Sequence, residues 1–345
     1  MSAGSALLVS ANCETVPLPV DPLALGRWAG ALREEGHEVA QFDAQVRPAG
    51  ELARLLGQSR FDLVGLSIRN IDNTDSASPR QYIDEHRRLV KLVREHTDAP
   101  IVVGGSGFSL FPDELMALLG ADYGVVGAGE RPLCQLMAAL SGEMPVESVC
   151  NLLCARRGGA APTPGPGRSG SGFSVVSHHA PELVAYYRIH GGAIGIQTKR
   201  GCPKKCCYCT YPLLEGDSVE YAEPGQVVDD MERLARDFAV PYFFMTDSVF
   251  NLCAERELAL AAEIRRRGLG VSWGAFFAPK NADRNYVRAL KESGLMHAEF
   301  GTDSLSNAVL SAYAKDFAVA DVLDASAAFS SEGVFCAHYL AFVGP

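Results

Sequence analysis

Cys202, Cys206 and Cys209 are separated by three and two residues in the string Gly201-Cys202-Pro203-Lys204-Lys205-Cys206-Cys207-Tyr208-Cys209. Thiolates so spaced on one short loop can each take one iron of a 4Fe–4S cube, which leaves the fourth iron without a protein ligand. An iron left open in this way can bind and reduce a substrate directly. Four of the chain's ten cysteines fall between positions 202 and 209, too close together for unstrained structural disulfides. A zinc knuckle wants four ligands in two pairs, and no second Cys or His pair stands at a compatible spacing. A ferredoxin-type site uses four cysteines, and Cys207 could be the fourth only by binding the same cube as its neighbour Cys206. The pattern therefore favours an open cluster. Lys199, Arg200, Lys204 and Lys205 flank the loop and would favour thiolates over thiols. Cys150 and Cys154 carry a weak spacing and read as structural or incidental cysteines.

The elements that must position this loop are legible from hydrophobic periodicity. In the N-terminal part, apolar runs at Ala6–Ser10, Val39–Phe42, Leu63–Ile68, Ile101–Val103 and Tyr123–Val126 alternate with helical patterns. The helices are expected from Asp21 through Leu32, over Glu51–Leu56, from about Gln81 to His96, and from about Arg131 to Leu140. Strands without polar alternation, separated by helices, predict a parallel sheet covered on both faces. This is an α/β, flavodoxin-like, doubly wound parallel-sheet domain over residues 1–142. Ligands of such sheets bind at the carboxyl ends of the strands. There the chain offers Ser67 with Arg69, Gly104-Gly105, and Gly127-Ala128-Gly129-Glu130, as a large ligand approaching the backbone would require.

Residues 143–192 read as a linker, with Gly158–Ser171 rich in Gly, Pro and Ser. From Ala193 the alternation resumes, and repeated βα units over 193–345 predict a closed or partial barrel. Strands are expected at Ala193–Thr198, Tyr242–Met245, Val271–Ala275, Met296–Phe300 and Val334–Phe342. The chain stops at Gly344-Pro345, directly after a strand, which reads as a unit truncated at its C-terminus.

Bulk properties narrow the function. The 345 residues are 48% hydrophobic and 21% charged, in the ordinary range for a globular protein of about two domains. No apolar run approaches the roughly 18 residues of a membrane span. The N-terminus lacks a basic n-region, so a secretory signal is not expected and a cytoplasmic location is. A formal charge of −10 argues against a nucleic-acid partner.

The motif Cys-x3-Cys-x2-Cys, with Tyr208 just before the last cysteine and a strand just before the first, resembles the radical S-adenosylmethionine (SAM) superfamily. In the fuller string Gln197-Thr198-Lys199-Arg200-Gly201-Cys202 through Cys209-Thr210-Tyr211-Pro212, it is similar to the branch with an N-terminal cobalamin-binding domain. Ser67, Gly104, Gly105, Gly127, Gly129 and Glu130 resemble that domain's contacts to the corrin and its nucleotide tail. The resemblance covers nearly the whole chain. It implies three cofactors: a 4Fe–4S cluster, S-adenosylmethionine and cobalamin. It also implies that the open iron chelates the methionine part of SAM, whose cleavage gives a 5′-deoxyadenosyl radical. Tyr208 would then lie near the adenine. Thr246, Asp247 and Ser248 would stand where the SAM amino group binds, although the family's Gly-Gly-Glu is absent there. Glu299 and Asp303 would face the ribose or amino group. Helix capping is the competing reading for Asp247 and Asp303.

Many cobalamin domains ligate cobalt with a histidine after the first strand. Here that loop is Asn12-Cys13-Glu14-Thr15-Val16-Pro17, so binding without a histidine ligand is expected. Arg69, whose guanidinium stays protonated and cannot ligate cobalt, would place a fixed cation beneath the corrin, unless it is spent on Asp72 or Asp75. The expected reaction is methylation of a carbon in a small-molecule, lipid or natural-product substrate, with an electron donor such as flavodoxin or ferredoxin. A cobalamin-dependent radical cyclase or rearrangement enzyme that does not methylate, and a cofactor-binding module without turnover, are the alternatives.

Overall fold

In the computed structural model, residues 3–155 and 176–341 are described. They fall into two compact units, the first ending at Gly191 and the second beginning at Gly192.

The first unit runs β1 (Ser5–Ser10), α1 (Leu23–Glu34), β2 (Glu38–Asp43), α2 (Ala49–Gln58), β3 (Leu63–Ser67), α3 (Ile83–His96) and β4 (Ile101–Gly104). It continues through α4 (Ser106–Leu110), α5 (Pro112–Leu119), β5 (Tyr123–Val125), α6 (Glu130–Leu140), β6 (Leu152–Cys154) and α7 (Pro181–His190). The strand order is β2-β1-β3-β4-β5-β6, parallel through β5, with β6 antiparallel on the edge. The five parallel strands have the flavodoxin-like order expected from the alternation. Alternate residues of each strand feed two cores: Leu7, Val9, Leu66 and Val103 pack on one face, and Ala6, Leu8, Leu63 and Val102 on the other. Fully apolar strands are what two covered faces demand.

The segment expected as a linker departs from that expectation at both ends. Its start supplies edge strand β6, and its end supplies α7, which packs on the first unit. The helix is tied to β2 by Tyr187, whose hydroxyl donates to Asp43 Oδ2 at 2.9 Å, and by Gln41, which accepts from Ala180 N at 2.5 Å. Both partners lie about 140 residues earlier, so no local pattern announces them. Gly158–Ser171 and Gly344-Pro345 lie outside the described residues.

Trp28 of α1 explains two of the glycines. A Cβ on Gly129 would sit 2.4 Å from Trp28 Nε1, and one on Gly104 would sit 3.2 Å from the far edge of the same ring. Gly129 has φ −98°, which alanine adopts freely, so a substitution there tests packing alone. Gly129→Ala should cost about 1–3 kcal/mol through overpacking. Thermal unfolding should show a lowered melting temperature, recovered in part when Trp28→Leu is added. A Gly129→Ala protein as stable as the parent would show that the indole has room to move.

The second unit runs β7 (Ile194–Ile196), β8 (Lys199–Arg200), α8 (Tyr211–Glu215), β9 (Glu220–Tyr221), α9 (Pro224–Phe238), β10 (Tyr242–Met245), α10 (Ala254–Arg267) and β11 (Ser272–Phe277). It ends with α11 (Arg284–Glu292), β12 (Leu295–Asp303), α12 (Asn307–Ala312), α13 (Val319–Ser331) and β13 (Phe335–Leu340). Strands β13-β12-β11-β10-β7 form an open parallel sheet among the described residues, a partial barrel. Strand β8 pairs with β9 in a separate antiparallel hairpin just beyond the expected strand Ala193–Thr198, and periodicity marks neither of these two-residue strands. Trp273, Phe277 and Phe300 point to the helix side, where Phe329 of α13 meets both phenylalanine rings edge-on. Phe244, Phe276, His297 and Glu299 occupy the opposite, half-buried face. No described helix is long and apolar enough to cross a membrane.

Candidate cluster and cofactor sites

The cysteine loop leaves the β8–β9 hairpin through Gly201, at φ +92°. A Cβ there would lie 1.9 Å from Ser218 O, so only glycine lets the two hairpin arms approach. Glu215 holds the entrance: it accepts from Gly201 N at 3.2 Å and from Gln197 Nε2 at 2.9 Å. Burial pushes its carboxyl above the usual range. Cys202 N then donates to Gly216 O at 2.9 Å, and Cys209 N turns back to Cys206 O at 3.1 Å. Cys202 is buried and Cys206 and Cys209 are half-buried, whereas Cys207 is exposed. The three non-adjacent thiols share one electrostatic neighbourhood. Burial raises the Cys206 thiol most; Lys315 lowers it, and Cys209 and Cys202 raise it further.

No group of three His, Cys, Asp or Glu among the described residues closes around a single metal ion. A lone ion with metal–sulfur bonds near 2.3 Å needs its sulfurs within about 4 Å of one another. A cube binds each thiolate through a different iron and needs no such closure. Three thiol donors on one loop, Cys202 buried and Cys206 and Cys209 half-buried, are the donor chemistry that a cluster takes.

Two of the four flanking cations expected to favour thiolates are committed to other partners. Lys199 is buried, with Nζ 3.2 Å from Asp247 Oδ2 and 2.8 Å from Phe250 O. Lys204 pairs with Asp316 at 2.8 Å. The cation that acts on Cys206 is Lys315, which lies 107 residues from Tyr208 and left no local mark in the sequence. Its Nζ lies 2.5 Å from Asp303 Oδ2 and 2.8 Å from the Tyr208 hydroxyl, and Tyr208 in turn donates to Asp303. Burial opposes the ammonium charge, but Asp303 and Tyr208 win and hold Lys315 above the ordinary lysine range. Burial together with Asp303 pushes the Tyr208 hydroxyl up to about 12. Asp303 thus ends β12 as the anchor of Tyr208 and caps no helix. Its φ of +59° is a left-handed conformation that a non-glycine residue adopts at a cost of about 1–2 kcal/mol.

Asp247 also departs from the expected role. It is fully buried, and its two oxygens accept from Thr198 N (2.7 Å), Thr198 Oγ1 (2.5 Å), Lys199 N (3.2 Å) and Lys199 Nζ (3.2 Å). Four donors match the acceptor capacity of a carboxylate, so the geometry makes it an internal brace rather than a ligand contact or a cap. Thr246 Oγ1 likewise turns inward, to Ile196 O at 3.2 Å. Ser248 is the contrast. Its Oγ is buried with no hydrogen-bond partner among the described residues, and such a hydroxyl is costly unless a bound group or water completes it. Glu299 is half-buried on the open face of the sheet. It is held by His297 Nε2 at 3.1 Å and the Tyr339 hydroxyl at 2.8 Å, and the histidine keeps its carboxyl below the usual range. Tyr242 completes this row, 2.8 Å from His297 Nδ1. Period-2 alternation places these residues on one face, but only the register of β10, β12 and β13 brings them together.

In the first unit, the loops after β3 and β4 close on each other. Gly107 N donates to Ile68 O at 3.0 Å and Ser106 Oγ to Arg69 O at 3.2 Å. Gly105, at φ +102°, would carry a Cβ 2.6 Å from Ile68 O. Gly127, also left-handed at φ +78°, donates its N–H to Ser109 Oγ at 2.9 Å. Ser67 is buried at the end of β3. Glu130, expected beside the ligand, forms an ion pair with the buried Arg27 at 3.0 Å. Arg69 is exposed and donates to Asn70 Oδ1 at 3.1 Å. His86, behind this loop, is buried with Nε2 against Asn70 O at 2.9 Å, and burial holds its ring below the ordinary histidine range. Val16, Leu18 and Val20 are exposed on the loop after β1, an apolar rim suited to a large, partly apolar ligand. The residues present at the strand ends fit a cofactor bound without a histidine ligand.

An open parallel sheet with a three-thiol loop after its first strand, preceded by a doubly wound domain with glycine-rich strand ends, defines a class. Residues 9–137 match the B12-binding domain, and residues 196–345 match the radical SAM superfamily. The chain belongs to the cobalamin-binding radical SAM proteins, whose cofactors are cobalamin, a 4Fe–4S cluster and S-adenosylmethionine. It is similar to the tryptophan 2-C-methyltransferase of Streptomyces laurentii, 27% identical over 87% of this chain and 60% of that protein. It is similar also to the hopanoid C-3 methylase of Methylococcus capsulatus, 25% identical over 73% of this chain and 47% of that one. The solved radical SAM methyltransferase TsrM of Kitasatospora setae, with cobalamin and a 4Fe–4S cluster bound, superposes with a TM-score of 0.90 at 28% identity. That match covers 98% of this chain and 69% of TsrM. The chain thus spans 60% and 47% of the length of the two curated relatives.

Proposed function

We propose that this chain carries the cofactor machinery of a cobalamin-dependent radical SAM methyltransferase that methylates a carbon of a small-molecule substrate. The observation that carries the reading is the match of both units, over nearly the whole chain, to a methyltransferase solved with cobalamin and a cluster. When bound, the cofactors supply an open iron for SAM and a cobalt that carries the methyl group, and the protein supplies placement and electrostatics.

The residues take these parts in the proposal. Cys202, Cys206 and Cys209 hold three irons. Tyr208, fixed by Asp303 and Lys315, borders the SAM site, and the buried Ser248 hydroxyl gains its missing partner there. Glu299, set by His297 and Tyr339, presents a carboxylate on the open face of the sheet. Phe244 and Phe276, in edge-to-face contact at 5.0 Å, form an apolar wall beside it, which suits a flat carbon acceptor. In the first unit, Ser67, Arg69 and the Gly105 and Gly127 turns form the cobalamin floor, with Arg69 as a cation that cannot ligate cobalt. A protein electron donor of the flavodoxin or ferredoxin type belongs to the same proposal.

The test uses the anaerobically reconstituted protein with cobalamin, a low-potential reductant and SAM labelled in its methyl group. With no acceptor substrate present, we expect S-adenosylhomocysteine to form up to one equivalent per bound cobalamin, with the labelled methyl group transferred from SAM to the reduced cobalamin. Formation of 5′-deoxyadenosine alone, with the label retained in methionine, would favour a non-methylating radical enzyme. Neither product would leave a cofactor-binding module.

A further inference from the structure

The three residues between Cys202 and Cys206 form one wall of a groove of about 440 Å³ on the second unit. Its other walls come from the loops after β10 and β11 and from the turn between α12 and α13. Lys204, Lys205 and Lys280 line it against a single acid, Asp316, a surplus of two positive charges in a chain whose formal charge is −10. Lys204 and Lys280 share that acid, with Lys204 Nζ 2.8 Å from Oδ1 and Lys280 Nζ 3.7 Å from Oδ2. One carboxylate between two ammonium groups leaves the set positive. Lys205 is exposed and makes no ion pair among the described residues.

Hydrogen bonds hold the groove in shape. Asn251, buried after β10, donates to Ala278 O at 2.9 Å and to Lys280 O at 3.0 Å, and accepts from Ala278 N at 2.8 Å. It thereby fixes the loop that carries Lys280. Lys280 Nζ also donates to Asp316 O, and Cys207 N donates to Tyr313 O at 3.1 Å, so the α12–α13 turn is tied to both neighbouring walls. Cations presented on a fixed frame lose little entropy when a partner docks. Pro203, Leu252 and Ala314 add apolar surface to the same groove.

An electron for a cluster on Cys202, Cys206 and Cys209 must enter over the surface nearest those cysteines, and Pro203 and Lys205 of the groove adjoin two of them. We propose that the groove is the docking face for a small acidic flavoprotein of the flavodoxin type. The partner's carboxylates meet Lys204, Lys205 and Lys280, while the apolar dimethylbenzene edge of its flavin meets Pro203, Leu252 and Ala314. This rests on the reading of the three cysteines as ligands of a cluster fed by a protein electron donor. One electron passes from the reduced, anionic flavin to the cluster and leaves the neutral flavin radical. No proton moves, and no bond is made or broken. Complementary charge of this kind acts mainly on the association rate and is screened by salt.

The test follows reduction of the anaerobically reconstituted protein by a strongly acidic flavodoxin. The EPR signal of the reduced cluster in rapidly frozen samples gives the rate per assembled cluster. The variants are Lys280→Glu, alone and with Lys205→Glu, and a control, Arg87→Glu with Lys91→Glu, which makes the same change in net charge on α3. We expect the paired lysine variant to cut the second-order rate constant about tenfold at low salt, Lys280→Glu alone to cut it less, and the α3 control to stay near the parent. At about 1 M salt, where the Debye length is about 3 Å, the rates should converge. Photoreduced 5-deazariboflavin, a small neutral donor, should reduce every variant at the parent's rate. An unchanged flavodoxin rate in the paired lysine variant overturns the proposal, as does equal slowing with the neutral donor or in the α3 control. A parent cluster that 5-deazariboflavin reduces and flavodoxin does not also overturns it. A ferredoxin that proves both faster and more sensitive to the lysines overturns the choice of a flavoprotein. If the parent assembles no 4Fe–4S cluster, the ligand assignment fails first, and the parent's iron content alone reveals it.

Discussion

Alanine at Cys202, Cys206 or Cys209 should each abolish the 4Fe–4S cluster, while Cys207→Ala should leave it in place. The expectation rests on two independent features. Spacings of three and two residues let three thiolates reach three irons from one loop, and the exposure of Cys207 sets it apart from the buried or half-buried trio. Cys207 also spends its backbone N–H on Tyr313 O at 3.1 Å, a contact that alanine retains. Removing one of three ligands from a cube that already has an open iron leaves two iron atoms without protein sulfur. Iron and sulfide analysis after anaerobic reconstitution, with the EPR spectrum of the reduced protein, reads the outcome directly. A Cys207→Ala protein that loses its iron while Cys209→Ala keeps it would reverse the ligand set.

The largest stability effect should follow Asp247→Ala. Lys199 is 1% exposed, and its ammonium has Asp247 Oδ2 at 3.2 Å and Phe250 O at 2.8 Å. Removing the carboxylate leaves a buried cation without a counter-charge and frees the Thr198 and Lys199 backbone donors together. Breaking one side of such a pair costs about 3–5 kcal/mol, enough to consume much of the stability of an ordinary domain. Lys199→Met should cost less, because Asp247 keeps the two Thr198 donors and the Lys199 N–H. Thermal unfolding of the two variants checks the order. The result also decides the role of Asp247 near the cluster loop. An Asp247→Asn protein that melts like the parent yet no longer binds SAM would return this carboxylate to the ligand site, against the internal role its hydrogen bonds indicate.

Much of this protein was legible before its fold. The cysteine loop sets its three candidate ligands within eight residues, and local spacing survives any tertiary arrangement. The uninterrupted apolar strands of the first unit announced a sheet covered on both faces, and the run Asn12-Cys13-Glu14-Thr15-Val16-Pro17 announced a strand end without histidine. These are short-range properties that need only composition and period. Tertiary structure decided what surrounds them. Asp247, read as a ligand contact, is taken up by Thr198 and Lys199, nearly fifty residues earlier. Glu130 answers to Arg27, and Gly104 and Gly129 make room for Trp28, a residue whose pattern alone marked only a helix face. The helix Pro181–His190, read as part of a linker, belongs to the first unit through Asp43 and Gln41. Lys315, one lysine among many in the sequence, reaches the Tyr208 hydroxyl because α12 ends in a turn that returns it to the loop. Charges and hydrogen bonds act over a few ångströms of space, and the parallel sheet brings together residues fifty to more than a hundred positions apart.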